Sequence, residues 1–259
     1  MSASCLTWHP APAKPTPEGG EVHVWLACLD RRPSLIERLS RTLAPDERER
    51  AGRFYFQKDR EHFIIARGVL RDILGRYLDV SPGRLRFGYN SYGKPALNGE
   101  HAGGALRFNL SHSHGLALYA VTSGREVGVD LERVRADLAD ESIAEHYFSP
   151  PEVAALRALP PHLRVEAFFN CWTRKEAYIK ARGEGLSLPL DRFAVSATPG
   201  EPARLLSVEG APQEVSRWSL RELSCAPGYV GALAAEAGGW LLKCWRWSDE
   251  AGGAGHEVE

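Results

Sequence analysis

The sequence lacks the features that mark a membrane protein or a nucleic-acid-binding protein. Its 259 residues carry a formal net charge of −1, so global charge favours neither nucleic acid nor a membrane surface as a partner. No uncharged apolar run approaches the roughly 18 residues that a membrane-spanning helix needs. The first residues, MSASCLTWHPAPAKPTPEGG, have no basic segment followed by an apolar run, so they do not resemble a signal peptide. We therefore expect a cytoplasmic, monomeric protein with no membrane or nucleic-acid partner.

Cysteine is scarce and poorly spaced for structural chemistry. The five cysteines are Cys5, Cys28, Cys171, Cys225 and Cys244. Their number is odd and no two have C-x-x-C spacing, which argues against a disulfide framework and against a structural zinc site. This pattern is typical of a protein from the reducing cytosol.

Common catalytic signatures are absent as well. The segment GEG at 183–185 continues as LSLPL, so it forms neither a G-x-G-x-x-G motif nor a P-loop. No G-x-S-x-G elbow occurs, so the sequence offers no activated serine of the hydrolase type.

The sequence does contain a regular succession of strands and helices. Residues 1–20 and 248–259 are predicted to be a flexible arm and a flexible tail. Apolar patterning predicts strands at 21–29 and 126–134, a short strand followed by a turn within 85–97, two strands within 105–123 joined by a turn, and four more strands in the last third. Helical periodicity predicts helices at 33–43, 44–54, 59–78 and 167–182. Because the two halves share this order, we predict two similar α+β subdomains, 21–125 and 126–247.

Two carboxylates lie close together in the segment GVDLE at 128–132. Asp130 and Glu132 are two residues apart on a predicted strand, and alternate strand residues share a face. Two acids on one face repel each other unless solvent or a cation neutralises them, and oxygen ligands of this kind suit Mg²⁺. The alternative is a solvated edge strand that ends in charged residues.

A third carboxylate occurs in WTRKEAYIK at 172–180. Glu176 and Lys180 are four residues apart on a predicted helix, so their side chains share a face. Aromatic and aliphatic residues bury part of this helix, which favours a metal–phosphate site. There the acid binds the cation or takes a proton, and lysine neutralises a phosphate. The alternative is a surface ion pair, worth only about 0.3–0.5 kcal/mol.

The segment FNLSHSHG at 108–115 is rich in hydrogen-bond donors. Ser111, His112 and Ser113 are predicted to lie on a turn, Ser111–Gly115, where hydroxyls, backbone N–H groups and histidine can donate to a phosphate. A plain polar turn is one alternative. A transition-metal site at His112 and His114 is another, although no third soft ligand lies at motif spacing.

Positive charge is concentrated at 48–67. The six basic residues there are Arg48, Arg50, Arg53, Lys58, Arg60 and Arg67, and the segment YGKP at 92–95 adds Lys94. This window could hold the phosphates of a nucleotide, or it could be a solvated helix face balanced by the acids at 46, 47 and 49.

Together these segments provide three carboxylates for Mg²⁺, at least two lysines and a histidine for phosphates, and no nucleophile of their own. That set favours transfer of part of a phosphate-rich cofactor, with the metal ion on a pyrophosphate.

The motifs also resemble a known family. GVDLE followed by WTRKEAYIK is similar to the two signature motifs of the 4′-phosphopantetheinyl transferases. The wider pattern resembles the larger, surfactin-synthetase-activating (Sfp-type) branch. It includes DERERAGRFYFQKDREHFIIARGVL, YGKPAL, FNLSHS, YFSPPEVAAL and KARGEGLSLPLDRFAV, and it spans roughly residues 21–245.

The resemblance implies Mg²⁺-dependent transfer of phosphopantetheine from coenzyme A to a serine of an apo acyl or peptidyl carrier protein. Adenosine 3′,5′-bisphosphate leaves. It also implies two subdomains related by a pseudo-two-fold, with the active site at their junction. The carrier can belong to fatty-acid, polyketide or nonribosomal-peptide synthesis. A non-catalytic coenzyme A or carrier-binding module and an Mg²⁺-dependent phosphohydrolase remain alternatives.

The resemblance further assigns roles to residues. The implied metal ligands are Asp130, Glu132 and Glu176, and the implied catalytic residues are Glu176, Lys180 and Asp130. The implied coenzyme A contacts are Arg50, Arg53, Arg67, Tyr92, Gly93, Lys94, Pro95, Ser111, His112, Asp130, Lys175 and Lys180. Glu47 stands where some members carry a lysine for the 3′-phosphate, so Arg48, Arg53 or Arg67 is expected to substitute. The helical region Tyr147–Leu156 is expected to dock the carrier.

Overall fold

The first half of the chain supplies most of one sheet and the helix that covers it. A computed structural model describes residues 7–18, 20–236 and 238–249. The elements of the first half are β1 (His9–Pro10), β2 (Glu21–Cys28), α1 (Pro33–Ser40), α2 (Pro45–Gly52), α3 (Gln57–Leu78), β3 (Arg86–Tyr89), β4 (Pro95–Asn98), β5 (Leu106–Ser113) and β6 (Leu116–Ser123).

The second half repeats the plan of strands around one long helix. Its elements are β7 (Val127–Arg133), α4 (Glu141–Tyr147), α5 (Pro150–Ala158), α6 (Pro161–Arg182), β8 (Phe193–Val195), β9 (Leu205–Val208), α7 (Glu214–Arg217), β10 (Trp218–Leu223), β11 (Tyr229–Glu236) and β12 (Leu241–Arg246).

The strands form two main sheets and two small hairpins. The first sheet has the order β1-β12-β2-β6-β5, and the second has the order β10-β11-β7. β3 pairs with β4, and β8 pairs with β9. β12 runs parallel to β2, with Trp245 opposite Trp25, so the last strand among the described residues lies inside the first sheet.

Each main sheet is covered by a helix of 22 residues, α3 in the first half and α6 in the second. α3 ends at Asp79 and α6 at Gly183, both in the left-handed conformation, with φ of 53° and 73°. Such a residue stops the helical path and turns the chain back. The two halves therefore share an architecture of one long helix on one sheet.

The other faces of the two sheets meet in a common core. Val22 and Val24 of β2 belong to the same buried cluster as Val127 and Val129 of β7. Because successive strand side chains point to opposite faces, the residues between those valines on β7 face α6 instead. Asp130 follows the same alternation and also points to the α6 side.

The α+β class predicted from the sequence is confirmed, and the pseudo-two-fold relation of the halves stays a prediction. One predicted turn is wrong. Residues 111–113 complete β5, and only His114 and Gly115 separate it from β6. The paired backbone of residues 111–113 extends the sheet because Ser111 and Ser113 are buried by β7 instead of facing solvent.

The division into subdomains 21–125 and 126–247 also stays a prediction, since β12 lies in the second range but pairs with the first sheet. Within the predicted arm, His9 and Pro10 pair with β12; residues 1–6, 19 and 250–259 lie outside the described residues. Across the described ranges, none of the helices has the length and apolar character needed to cross a membrane.

Candidate active site

The site lies where β7 runs beside α6. Gly128 makes this approach possible, because a Cβ at that position would lie 2.1 Å from the Ala177 carbonyl oxygen and 2.3 Å from the Ala181 nitrogen. No side chain fits there. The backbones are therefore close enough for Asp130 on the strand to meet Lys180 on the helix.

Asp130 is the most enclosed acid of this group, with 2% of its surface exposed. Its Oδ1 accepts hydrogen bonds from Lys180 Nζ at 2.6 Å and from Ser111 Oγ at 2.8 Å. Its Oδ2 is buried and has no hydrogen-bond partner among the described residues. A buried carboxylate oxygen without a donor is costly, so this atom is suited to binding a cation.

Glu132 and Glu176 lie close enough to Asp130 for their charges to interact. Burial, followed by the charge of Asp130, raises the pKa of Glu132. Burial, followed by the same charge, raises the pKa of Glu176 to about 7, although Lys180 acts in the opposite direction. The charge of Asp130 on the strand thus affects the pKa of Glu176 on the distant helix, as expected if these acids lie close together. Glu132 is also held by Ser113 Oγ, which donates to its Oε2 at 2.8 Å.

The carboxylates are not arranged as a finished metal site. In the part of the chain that the structure describes, no group of three or more His, Cys, Asp or Glu side chains has the spacing of a metal centre. Lys180 supplies the positive charge beside Asp130. The donor chemistry nevertheless fits a hard cation such as Mg²⁺, because these are carboxylate oxygens and one of them is buried without a donor.

The side chains of the SHS segment, residues 111–113, point alternately to the two faces of β5. Ser111 and Ser113 face β7 and donate to Asp130 and Glu132. His112 points the other way and lines a cleft, where desolvation and the charge of Lys180 lower its pKa. Strand alternation explains this split. The serine hydroxyls therefore orient the acids, and the histidine faces the cleft.

The cleft has a volume of about 660 Å³ and combines basic and aromatic side chains. Five predicted coenzyme A contacts line it: Arg50, Arg67, Gly93, Pro95 and His112. Two do not. Arg53 is exposed and pairs with Glu49 at 2.5 Å, and Tyr92 is 55% exposed outside the lining. Arg48 turns back to donate to the Leu43 carbonyl oxygen at 2.7 Å.

Arg67 is fixed in the cleft wall by Glu47. The two side chains are buried, with Arg67 Nε 2.8 Å from Glu47 Oε1. Glu47 Oε2 accepts from Arg71 Nε at 2.7 Å and from the Ala44 backbone N–H at 2.8 Å. Two guanidinium groups thus share one carboxylate, which leaves net positive charge beside the cleft. The acid that departs from the family pattern holds an arginine in place instead of facing a phosphate.

Lys175 is a correction to the sequence prediction. Its ammonium is fully buried, donates to the carbonyl oxygens of Leu190 and Phe193 at 2.7 and 2.6 Å, and pairs with Glu152 at 2.7 Å. Adjacent helix residues point about 100° apart, so the neighbour of Glu176 enters the core. Lys175 therefore cannot reach a cofactor, and Glu152 is a core residue that offers no charge to a docking carrier.

Two groups of residues outside the predicted set also shape the site. Tyr89 lines the cleft and accepts a hydrogen bond from Arg67. Asn90 donates to the Gly183 carbonyl oxygen just after α6, and Glu126 accepts from Lys94. Tyr89 and Asn90 directly precede the YGKP segment, and that proximity was the available signal. No local pattern identifies Glu126, because its partner is 32 residues away.

Comparisons with known proteins agree with the motifs. A family model described as the 4′-phosphopantetheinyl transferase superfamily matches residues 126–234. A second model, 4′-phosphopantetheinyl transferase, N-terminal, matches residues 31–124. Among solved structures, the ACPS–CoA complex of Chronobacterium ammoniagenes aligns with a TM-score of 0.33 and 21% identity, covering 43% of this chain and 96% of that one.

Two curated relatives are similar over most of their length. The 4′-phosphopantetheinyl transferase HetI of Nostoc sp. is 44% identical over 241 residues, which is 93% of this chain and 98% of the relative. The 4′-phosphopantetheinyl transferase Sfp of Bacillus subtilis is 30% identical over 199 residues, which is 77% of this chain and 84% of the relative. The chain therefore belongs to the 4′-phosphopantetheinyl transferase family.

Proposed function

We propose that this protein transfers the 4′-phosphopantetheine group of coenzyme A to a serine hydroxyl of an apo carrier protein. The observation that carries the proposal is the meeting of Asp130, Glu132, Glu176 and Lys180 beside a basic cleft, in a chain of this family. The serine oxygen forms a bond to the phosphorus that bears pantetheine. The bond from that phosphorus to the bridging oxygen breaks, and adenosine 3′,5′-bisphosphate leaves.

The cleft suits the nucleotide half of coenzyme A. Arg50 and Arg67 supply positive charge, and Tyr89, Phe54 and Phe63 supply aromatic surface. Guanidinium groups bind phosphate through several N–H donors. Arg67 is already oriented by Glu47, so little side-chain freedom is lost when an anion binds.

Lys180 and Glu176 are assigned different tasks. Lys180 places a positive charge at the site, 2.6 Å from Asp130, where it offsets charge that develops on the diphosphate. Glu176 is the candidate base for the serine proton. Burial and Asp130 raise its pKa to about 7 in the absence of a cation. Mg²⁺ bound to the same carboxylate would lower that pKa, so orientation of the serine must supply much of the rate. The protein supplies no nucleophile because the carrier brings its own.

Mg²⁺ is proposed as the cation of this site, held by Asp130, Glu132 and Glu176. The unpartnered Oδ2 of Asp130 and the mutual repulsion of the acids support that assignment. When bound, the ion supplies positive charge to the diphosphate. Addition of a chelator is expected to abolish transfer, and Mg²⁺ is expected to restore it. Undiminished transfer in the chelator would contradict the assignment.

The central experiment incubates the protein with coenzyme A, Mg²⁺ and a panel of apo carriers from fatty-acid, polyketide and nonribosomal-peptide synthesis. We expect the mass of at least one carrier to increase by one phosphopantetheine group, with release of adenosine 3′,5′-bisphosphate. Coenzyme A binding without modification of any carrier would favour the binding-module alternative. Breakdown of coenzyme A in the absence of carrier would favour the phosphohydrolase. A cytoplasmic location and a monomeric state remain predictions, to be checked by cell fractionation and by light scattering.

A further inference from the structure

The tip of the β3–β4 hairpin, residues 90–94, lies between the cleft and α6. Gly93 at the tip and Pro95 beside it line the 660 Å³ cleft. Asn90 and Lys94 line a separate cavity of about 410 Å³, together with Gly183. The hairpin tip therefore has two sides, and the Lys94 side chain is on the side away from the cleft.

The Lys94 ammonium joins the two elements that carry the catalytic groups. Its Nζ donates to Glu126 Oε2 at 2.8 Å and to the Ala181 carbonyl oxygen at 2.9 Å. Glu126 directly precedes β7, the strand of Asp130 and Glu132. Ala181 directly follows Lys180 in α6. One ammonium thus bridges the start of the metal-ligand strand and the end of the catalytic helix.

Asn90 makes a second contact with the same helix end. Its Nδ2 donates to the Gly183 carbonyl oxygen at 2.7 Å, and its Oδ1 accepts the backbone N–H of Lys94 at 2.9 Å. The last carbonyl groups of a helix have no partners within the helix, and a cation there interacts favourably with the helix dipole. The hairpin tip therefore caps α6 with one amide and one ammonium.

The fit between the tip and α6 is close. A Cβ at Gly183 would lie 3.1 Å from Lys94 Cδ and 3.4 Å from Asn90 Nδ2. The side chain of Lys94 is mostly enclosed, with 16% of it exposed. Its ammonium already has two acceptors, so neither the orientation nor the charge of Lys94 is free for a phosphate in the cleft.

We propose that Lys94 is a positioning residue that holds the C-terminal turn of α6 against β7 and so sets the place of Lys180. The role expected from the resemblance, a direct contact of its side chain with coenzyme A, is replaced by action through α6. This inference rests on the proposed transfer reaction. It predicts that loss of the ammonium slows the chemical step without weakening coenzyme A binding.

The test compares Lys94→Met, which keeps the apolar stem, with Glu126→Gln, which removes the carboxylate partner outside the cleft. We expect both variants to lower kcat for transfer to an apo carrier by at least about tenfold, because small misplacements of reacting groups are costly. The KM for coenzyme A is expected to change less than about twofold, because neither substitution removes a contact with bound coenzyme A. Lys94→Arg, which retains donors for both acceptors, is expected to recover most of kcat. Lys14→Met, at an exposed ion pair with Asp79, is the matched control and is expected to match the wild type.

If the Lys94 side chain contacted coenzyme A directly, the two variants would give a different result. Lys94→Met alone would raise the KM, and Glu126→Gln would have no effect; that outcome overturns the proposal. A lowered Tm with an unchanged kcat in both variants would show a purely structural role and would overturn it as well.

Hydrogen exchange tests the same proposal without any transfer assay. We expect the backbone amides of residues 178–183 to exchange faster in Lys94→Met and Glu126→Gln than in the wild type or Lys14→Met. Unchanged exchange would refute the positioning role. If the wild-type protein modifies no carrier, the proposed function fails, while this measurement still decides whether Lys94 anchors the helix.

Discussion

The Glu176 carboxyl is placed to exchange a proton near neutral pH. Burial and the nearby Asp130 raise its pKa to about 7, and Lys180 limits the rise. A carboxylate with an ordinary pKa would be a weak base for a serine hydroxyl. The environment of this side chain therefore favours proton exchange near neutral pH before a cation binds, and a bound Mg²⁺ would lower its pKa.

Isosteric replacement separates this chemistry from folding. We expect Glu176→Gln and Asp130→Asn each to lower kcat for transfer by at least about a hundredfold, since each removes a carboxylate proposed to hold the Mg²⁺ that offsets charge on the diphosphate. The far-ultraviolet circular dichroism and Tm are expected to stay close to those of the wild type. Glu166→Gln, an exposed acid on the same helix, is the control and is expected to retain full activity. Near-normal turnover in Glu176→Gln would exclude it as base and as metal ligand.

Lys175 is expected to contribute to stability and not to catalysis. Lys175→Met leaves Glu152 buried without its ion-pair partner, and breaking one side of such a pair costs about 3–5 kcal/mol. Urea unfolding is expected to show this loss, while the KM for coenzyme A of the folded fraction stays unchanged. Lys14→Met is the comparison and is expected to lose much less stability, because both partners of its ion pair with Asp79 are exposed. A raised KM in stable Lys175→Met would restore the original sequence prediction.

For single residues, the sequence predicts which side chains share a face of a strand or helix. It does not predict the orientation of a side chain when packing in the core decides that orientation. Asp130 and Glu132 follow strand alternation, and Glu176 and Lys180 follow helical spacing, so their grouping was predictable. Lys175 was misplaced because motif proximity was taken for spatial proximity. The role of Glu47 could not be read from its neighbours, because its partner Arg67 is 20 residues further along the chain.

Among the elements, β7 and α6 determine the site together through their close approach. Gly128 is the residue that permits it, since even one methyl group would overlap the backbone of α6 at Ala177 and Ala181. The helix ends at Gly183, and the β3–β4 hairpin caps it there. Gly128 and Gly183 thus set the backbone geometry on which the site depends.

Adding a methyl group at Gly128 tests this dependence. Gly128→Ala is expected to push β7 away from α6, to cost at least about 1–3 kcal/mol as an overpacked site does, and to lower kcat by about a hundredfold. Gly52→Ala is the matched control, because a Cβ there meets nothing within 4 Å. Chemical denaturation and transfer kinetics of the two variants provide the comparison. Equal activity of the two alanine variants would show that the approach of strand and helix is not limiting.

The sequence predicted most of the larger elements, because apolar periodicity is a local signal. The long helices α3 and α6 and the strands β2, β6, β7 and β11 were all expected. Short elements such as α4 and α7 were missed, since four to seven residues give little periodicity. The pairing of β12 with β2 was also missed, because it joins segments more than 200 residues apart and leaves no local trace.

On the scale of the whole molecule, a buried polar network joins the first sheet to α3. His23 on β2 is 1% exposed and bonds Glu21 through Nε2 and Tyr77 through Nδ1, both at 2.8 Å. Trp25 Nε1 donates to the Tyr77 hydroxyl at 2.9 Å, so that hydroxyl is free to donate its own proton to His23 Nδ1. Lys243 of β12 also pairs with Glu21 at 2.5 Å, and the network therefore reaches the last strand.

This network predicts a loss of stability in acid. Burial lowers the pKa of His23, aided by Lys243 and opposed by Glu21, whereas the unfolded chain titrates near 6.5. Below about pH 6.5 the unfolded state binds the extra proton, so the stability due to His23 is present above that pH and is lost as pH falls. We expect the difference in unfolding free energy between wild type and His23→Gln to shrink between pH 7.5 and 5. His162→Gln, at an exposed position, is the control; a pH-independent difference for His23→Gln would contradict the assignment.

The position of β12 has a consequence for how the protein is made. The first sheet has its last-synthesised strand between β1 and β2, so the nascent N-terminal half emerges from the ribosome with a gap in its sheet. The backbone N–H and C=O groups of β2 that pair with β12 have no strand partner until translation passes residue 246. A chain that stopped before residue 241 would therefore leave β2, an early-made strand, with one unpaired edge.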